Sequence, residues 1–244
     1  MSFVLDDVCK AYPGRLTFQK ISVLREVSCS VEAGRVLALI GQNGAGKTTL
    51  LKCILGFLRP DRGTITMDGR PVSALLGENG VGYMPERLER LGLTPREYAE
   101  TLLTLRGLTV GDYSDRFREL AERLYLTKYL DRPMDKCSKG TVKKAIFLQA
   151  VLHRPSLVIL DEPTDGLDPL ARRAMLGEIR QLRDSGCTLL ITTHLLSDLM
   201  LVADEAAILQ NGSILRQTET KDLPGSLDDW YYDVIMENGG AEGQ

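Results

Sequence analysis

Residues 41–48 read Gly-Gln-Asn-Gly-Ala-Gly-Lys-Thr, a complete G-x-x-x-x-G-K-[ST] spacing, and no other stretch restricts the fold as much. The apolar run Val36-Leu37-Ala38-Leu39-Ile40 precedes it and reads as a strand. Thr48-Thr49-Leu50-Leu51-Lys52-Cys53-Ile54-Leu55 follows and reads as a helix. In such a strand–loop–helix unit the glycines let consecutive backbone N–H groups turn toward one anion, and the helix N-terminus adds partial positive charge. The candidate nucleotide-binding residues are therefore Gly41, Asn43, Gly44, Ala45, Gly46, Lys47, Thr48 and Thr49. Lys47 is placed to reach β and γ phosphates, and the Thr48 hydroxyl to ligate Mg²⁺.

The flanking pattern places this unit in a larger α/β frame. Phe3 to Val8 and Ser22 to Val31 read as strands of an N-terminal β-rich part, and Thr64-Ile65-Thr66-Met67 followed by Asp68-Gly69 reads as a strand entering a hairpin. From about Thr94 to Lys136 strand signals vanish. Thr94-Pro95-Arg96-Glu97 opens a helix on which Tyr98, Leu102 and Leu105 recur at helical spacing. A second amphipathic helix is expected from Tyr113 to Leu124, with Phe117, Leu120 and Leu124 on one face. Beyond Ser138 a helix (139–152), the strand Leu157 to Leu160, a helix (169–184) and the strand Thr188 to Thr192 alternate. Short, fully apolar strands between helices imply a parallel sheet covered on both faces. Leu227 to Tyr232 reads as a closing amphipathic helix in which Trp230 packs, and 239–244 as a disordered tail.

The chemistry-bearing residues outside the loop sit at strand ends. Asp161-Glu162 follows the strand Leu157 to Leu160, at the C-terminal edge where ligands gather in open α/β sheets. Asp161 is placed to hold Mg²⁺ opposite Thr48, and Glu162 to polarise a water aimed at a γ-phosphate. His194 ends the next strand and is placed to orient that water or bond the phosphate. His153, at a helix end before Arg154-Pro155, reads as structural.

The bulk properties exclude several classes. The 244 residues suffice for one large α/β domain, and 43% hydrophobic content is ordinary for a globular chain. A net charge of −3 gives no electrostatic reason to expect nucleic acid as a partner. No apolar run approaches a membrane span, and Met1 to Lys10 does not read as a secretory leader. Five scattered cysteines without a C-x-x-C pair read as reduced thiols, with neither a disulfide framework nor a zinc site.

In these motifs and their order, from about Phe3 to Leu223, the chain resembles the ATP-binding subunit of an ABC transporter. The resemblance implies a P-loop NTPase core with a mainly parallel sheet, an N-terminal antiparallel β subdomain and a helical insertion. It implies an ATP-binding domain over 1–225 with the helical subdomain at about 87–140, followed by a C-terminal helix and tail over 226–244. By the same resemblance, Tyr12 stacks on adenine, Gly41 to Thr48 is the Walker A motif, Leu157 to Asp161 is Walker B, and Glu162 is the catalytic glutamate. Gly166-Leu167-Asp168 matches the D-loop, His194 the switch histidine, and Cys137-Ser138-Lys139-Gly140-Thr141 the Leu-Ser-Gly-Gly-Gln signature. ATP with Mg²⁺ would lie between the phosphate loop of one subunit and the Ser138 and Gly140 region of a second, head-to-tail copy.

Two departures from the family pattern stand out. Glu86 falls on the Q-loop glutamine, where a carboxylate can still meet Mg²⁺ or the attacking water. Lys139 replaces the first signature glycine and Thr141 its glutamine; the Lys139 side chain is expected to face solvent, the alternative being an extra cation near the triphosphate. The forms Tyr83-Met84-Pro85-Glu86 and Ser138-Lys139-Gly140 look like exporter-type ATPases that pair with a separate integral membrane permease at the cytoplasmic side of the membrane. There the helical insertion docks a coupling helix, over a surface expected to include 86–93 and the helix starting near Pro95. The alternatives are a soluble ABC ATPase of translation or DNA repair and a non-hydrolysing scaffold. Translation types usually carry two such domains and repair types long coiled coils; Glu162 and His194 argue against the scaffold.

Overall fold

Strands that are apolar at every position need cover on both faces, and β3 (Val36–Ile40), β7 (Leu157–Asp161) and β8 (Thr188–Thr192) are buried at all five positions each. A computed structural model, which describes residues 2–14, 20–86, 92–194, 196–223 and 226–238, supplies that cover. These strands join β6 (Val81–Met84), β9 (Glu205–Gln210) and β10 (Ser213–Glu219) in a six-stranded sheet of order β10-β9-β3-β8-β7-β6. All neighbours are parallel except the β10–β9 hairpin at one edge.

The second sheet is antiparallel, in the order β2-β1-β4-β5. It comprises β1 (Ser2–Pro13), β2 (Lys20–Glu32), β4 (Arg62–Met67) and the two-residue β5 (Arg70–Pro71). The first two strands run longer than the sequence pattern suggests, because register shifts between Leu5 and Ala11 let irregular stretches continue the ladder. Asp68 and Gly69 adopt φ of 53° and 75°, the left-handed pair that a tight hairpin requires.

Helix α1 (Lys47–Ile54) lies between the two sheets. Its Leu50, Leu51 and Ile54 join Phe3, Leu5 and Leu24 from the antiparallel sheet and Leu37, Leu39 and Leu190 from the parallel one in a single core. The opposite face of the parallel sheet is covered by α5 (Lys139–Leu152) and α6 (Pro169–Asp184). Every residue of α5 from Thr141 to Leu152 is buried, which makes it the central helix of this second core. The remaining helices are α2 (Val72–Gly77), α3 (Pro95–Leu105), α4 (Ser114–Arg123), α7 (Leu196–Val202) and α8 (Leu227–Glu237), with Trp230 of α8 buried in the second core as expected.

Helix α3 begins at a capping box: Glu97 N–H donates to Thr94 Oγ1 at 3.2 Å, and Thr94 N–H donates to Glu97 Oε2 at 2.8 Å. Its inward stripe is Ala99 and Leu103, while Leu105 is 76% exposed. The stripe Tyr98, Leu102, Leu105 that the sequence spacing singles out therefore flanks a surface groove, with only Tyr98 also packing against the core. Helix α4 begins at Ser114, one residue later than expected, because Val110–Tyr113 forms a 3-10 turn. Arg116 of α4 donates to the Leu152 and Val151 carbonyls at 3.1 and 3.2 Å, closing the C-terminus of α5. Arg123 forms a bidentate pair with the buried Glu178 of α6 at 2.6 and 3.1 Å. The tail expected to be disordered, 239–244, lies outside the described residues.

His153 holds α3 to the sheet. Its Nε2 lies 3.1 Å from Arg106 Nη1, and Arg106 Nη1 also donates to Val81 O at 3.4 Å. The same Nε2 lies 3.2 Å from Val81 O, and the ring also bonds the main chain of Gln149. Burial, reinforced by the charge of Arg106, pushes His153 from its ordinary value down to about 4. Protonation therefore favours the unfolded chain. The stability that this group contributes is complete above pH ~6.5 and is lost as pH falls toward 4, about 3 kcal/mol over that window. Denaturant unfolding at pH 7 and pH 4 should show a loss larger by about that amount in the unaltered chain than in His153→Gln. Parallel losses in both would contradict the assignment.

Candidate functional site

The turn between β3 and α1 determines where the site lies. Gly46 precedes α1 at φ 112° and ψ −1°, a conformation that residues with a Cβ avoid, and no side chain caps the helix. The first N–H groups of α1 thus remain available to a ligand. Gly41 passes so close to β9 that a Cβ there would lie 2.5 Å from Leu209 O. Ala45 is buried in the loop, and its carbonyl accepts from Gly212 N–H at 3.0 Å. The Lys47 ammonium turns back over the loop, donating to the Gly41 carbonyl and, at 3.2 Å, to the Gln42 carbonyl.

Parallel strands end on the same side, so β7 and β8 bring their C-terminal residues to face this loop. Asp161 pairs in register with Thr192, and the Thr192 hydroxyl donates to Asp161 Oδ1. Glu162 leaves the strand at φ 50°, and its N–H donates to Thr192 O at 3.0 Å. That bend aims its carboxylate at His194: Oε2 accepts from His194 N–H at 3.3 Å and lies 2.9 Å from His194 Nδ1. Glu86 follows β6 on the same side.

Gly41, Asn43, Gly44, Gly46, Lys47, Thr48 and Thr49 line one wall of an open cleft of about 680 Å³. Glu86, Asp161, Glu162 and His194 line the other, together with Asp165. Burial, then the charges of Glu86 and Glu162, push the Asp161 carboxyl above the usual carboxylate range, against the opposing hydrogen bond from Thr192. Tyr83 is pushed up to about 12 by burial and by the Asp161 and Glu86 charges. Among the described residues, no group of three His, Cys, Asp or Glu side chains is arranged to hold a metal ion by itself. The donors present are the Thr48 hydroxyl and the carboxylates of Asp161 and Glu86, an all-oxygen set. Mg²⁺ uses one or two such protein donors when phosphate oxygens and water complete its shell, so the crowded acids fit that ion.

Besides the buried Ala45, three candidate site residues lie outside the cleft lining. Tyr12 sits near the end of β1, paired with Ile21 and half-buried, next to residues 15–19, which are not among those described. Ser138 caps α5, its Oγ accepting from Thr141 N–H at 3.1 Å. A Cβ on Gly140 would lie 3.3 Å from Leu167 Cδ2.

The sequence reading missed two contacts behind the cleft. Lys139 is paired and not merely solvated: its ammonium lies 2.8 Å from Asp165 Oδ2. Lys143, one helical turn further, is wholly buried and donates to the main-chain oxygens of Glu162 at 2.5 Å and Asp165 at 2.7 Å. Burial draws the Lys143 ammonium below its ordinary range, with the Asp165 charge opposing. The helix also carries Lys144, Thr141 and Gln149, so no side-chain pattern in the sequence singled Lys143 out. Asp168 is committed locally, its Oδ1 accepting from Ala171 N–H at 2.9 Å as the N-cap of α6.

Residues 24–165 match the family described as ABC transporter. An ABC transporter ATP-binding protein of Synechocystis, sll0415, is 32% identical over 227 residues, which is 92% of this chain and 64% of that protein. The zinc import ATP-binding protein ZnuC of Yersinia enterocolitica is 34% identical over 80% of this chain and 73% of its own length. The fold matches a solved ATP-binding subunit of an ABC transporter with a TM-score of 0.86 at 30% identity, covering 96% of this chain and all of that one. It matches the dimeric bacterial cassette MJ0796 with a TM-score of 0.80 at 20% identity, over 91% of this chain and all of that one. The chain belongs to the ABC transporter family, as an ATP-binding cassette.

The Thr192–Asp161 contact joins two buried strand ends, with Thr192 fully buried. Thr192→Val keeps the shape and removes the donor, so it should destabilise the chain by about 2 kcal/mol, the range for a hydrogen bond to a charged group. Denaturant unfolding at neutral pH measures it; unchanged stability would show that the contact contributes nothing.

Proposed function

We propose that this chain hydrolyses ATP to drive a separate membrane permease. The observation that carries the reading is the single cleft in which the phosphate loop faces Asp161, Glu162 and His194. Lys47 and the N–H groups at the start of α1 bind the β and γ phosphates of ATP, and Tyr12 stacks on the base. Thr48, Asp161 and Glu86 hold Mg²⁺, which when bound offsets phosphate charge. The Glu162 carboxylate, held in its bend by the Thr192 carbonyl, accepts a proton from the attacking water, and His194 fixes that carboxylate through main chain and ring.

Ser138 and Gly140 lie away from their own chain's cleft, which supports an ATP site completed by the signature of a second copy. We propose a head-to-tail homodimer of that kind, with 1–225 as the ATP-binding domain, 87–140 as its helical insertion and 226–244 as a C-terminal extension. A groove of about 610 Å³ supports the permease as partner: Phe57 is 68% exposed there, beside Leu76 of α2 and Tyr98, Leu102 and Leu105 of α3. Such a row of apolar residues fits an amphipathic helix laid into a groove. Of the docking surface expected from the sequence, 87–91 lies outside the described residues. The proposed place is the cytoplasmic face of the membrane, beside the permease; no described helix is long and apolar enough to cross a membrane. Export is the proposed direction, on the Tyr83-to-Glu86 and Ser138-to-Gly140 forms, although ZnuC by its name serves import.

Glu162→Gln tests the hydrolytic role. Turnover should fall about 10²–10⁴-fold while ATP binding persists. Turnover equal to that of the unaltered chain would remove Glu162 from the reaction.

A further inference from the structure

A fully buried ammonium with no carboxylate in close contact is an expensive arrangement unless its donors are used. Lys143 uses them on main-chain oxygens: Glu162 O at 2.5 Å and Asp165 O at 2.7 Å, with Asp165 Oδ2 further off at 3.8 Å. These oxygens bracket the turn 162–165, which Glu162 enters at a left-handed φ of 50° and after which Gly166 takes one of 70°. A non-glycine residue persists there only where its surroundings over-determine it. On one side the turn is held by Thr192, through Glu162 N–H to its carbonyl. On the other it is held by Lys143.

We propose that Lys143 is a positioning residue for ATP hydrolysis, its buried ammonium fixing the turn that aims the Glu162 carboxylate and tying that turn to the helix that begins at Ser138. The role rests on the hydrolytic reading above. Lys143 is not among the residues that line the cleft; its hydrogen bonds go to main-chain oxygens, and the Asp165 carboxylate is its ion-pair partner at 3.8 Å. It also links two parts of one surface: Lys139, a turn earlier on α5, bonds the side chain of the same Asp165. The start of α5 and the 162–165 turn are thus tied together by two lysines. If a second copy presents its signature to the ATP of the first, the same lysine transmits the position of that signature to Glu162 of its own chain.

The test is steady-state ATP turnover of the full chain against Mg-ATP concentration, with ATP affinity measured separately by calorimetry. The variants are Lys143→Met, Lys143→Gln, and Lys143→Met combined with Glu162→Gln. Lys143→Met keeps the length and removes the donors. It should lower kcat about 10–100-fold, the scale of a small misplacement of a reacting group, with ATP affinity within about threefold of the unaltered chain. Lys143→Gln keeps an amide donor and should recover part of kcat. Added to Glu162→Gln, Lys143→Met should lower the residual turnover by less than about threefold, because there is no carboxylate left to aim. An unchanged kcat in Lys143→Met, or an equal fold-loss in both backgrounds, would overturn the role. Loss of folding or of ATP binding in both the Met and Gln variants would assign Lys143 to core stability and overturn it too. Absence of turnover in the unaltered chain would instead remove the hydrolytic reading itself, before any substitution is compared, and this role with it.

Discussion

Parallel pairing of β3, β7 and β8 makes the site possible. Strands that run in the same direction end at the same edge, so the loop after β3, the acids after β6 and β7 and the histidine after β8 share one cleft without any long-range coincidence. That arrangement needs both faces of the sheet covered, since each strand is apolar throughout. Helix α1 with the antiparallel sheet covers one face, and α5 with α6 the other. The same two helices then serve as machinery. The start of α1 forms the anion-binding wall, and the start of α5 carries Ser138, Lys139 and Lys143.

Much of this was legible in the residues. The helices 139–152 and 169–184 and the strand Thr188–Thr192 appear with their expected bounds, because short apolar strands alternate with longer helical stretches there; Ser138 and Asp168 cap the two helices, which the sequence reading did not use. Other elements were not. Strand β9 reads Glu-Ala-Ala-Ile-Leu-Gln, a helix-favouring composition that its parallel partner β3 overrides. Strand β6 is four residues with a glycine inside, too short for a periodic signal. Of the site, the phosphate loop, Asp161, Glu162 and His194 could be read from motif and position. Lys143 could not, because its role depends on main-chain oxygens about twenty residues away that no side-chain pattern reveals.

Helix α3 shows how spacing alone can mislead about burial. Tyr98, Leu102 and Leu105 have the period of a core stripe, yet Ala99 and Leu103 face inward and Leu105 is exposed. The helix is apolar on two adjoining strips: Ala99 and Leu103 face the core, and Leu102 and Leu105 face the groove with Phe57. The geometry that fails as a core pattern makes sense as a surface for another protein.

The central claim is that the cleft of one chain is completed by the signature of another. Sedimentation of Glu162→Gln with Mg-ATP, with and without Ser138→Arg, tests it most directly. The account predicts an ATP-dependent dimer that the arginine abolishes while nucleotide binding survives. Equal dimer populations in the two samples would contradict it.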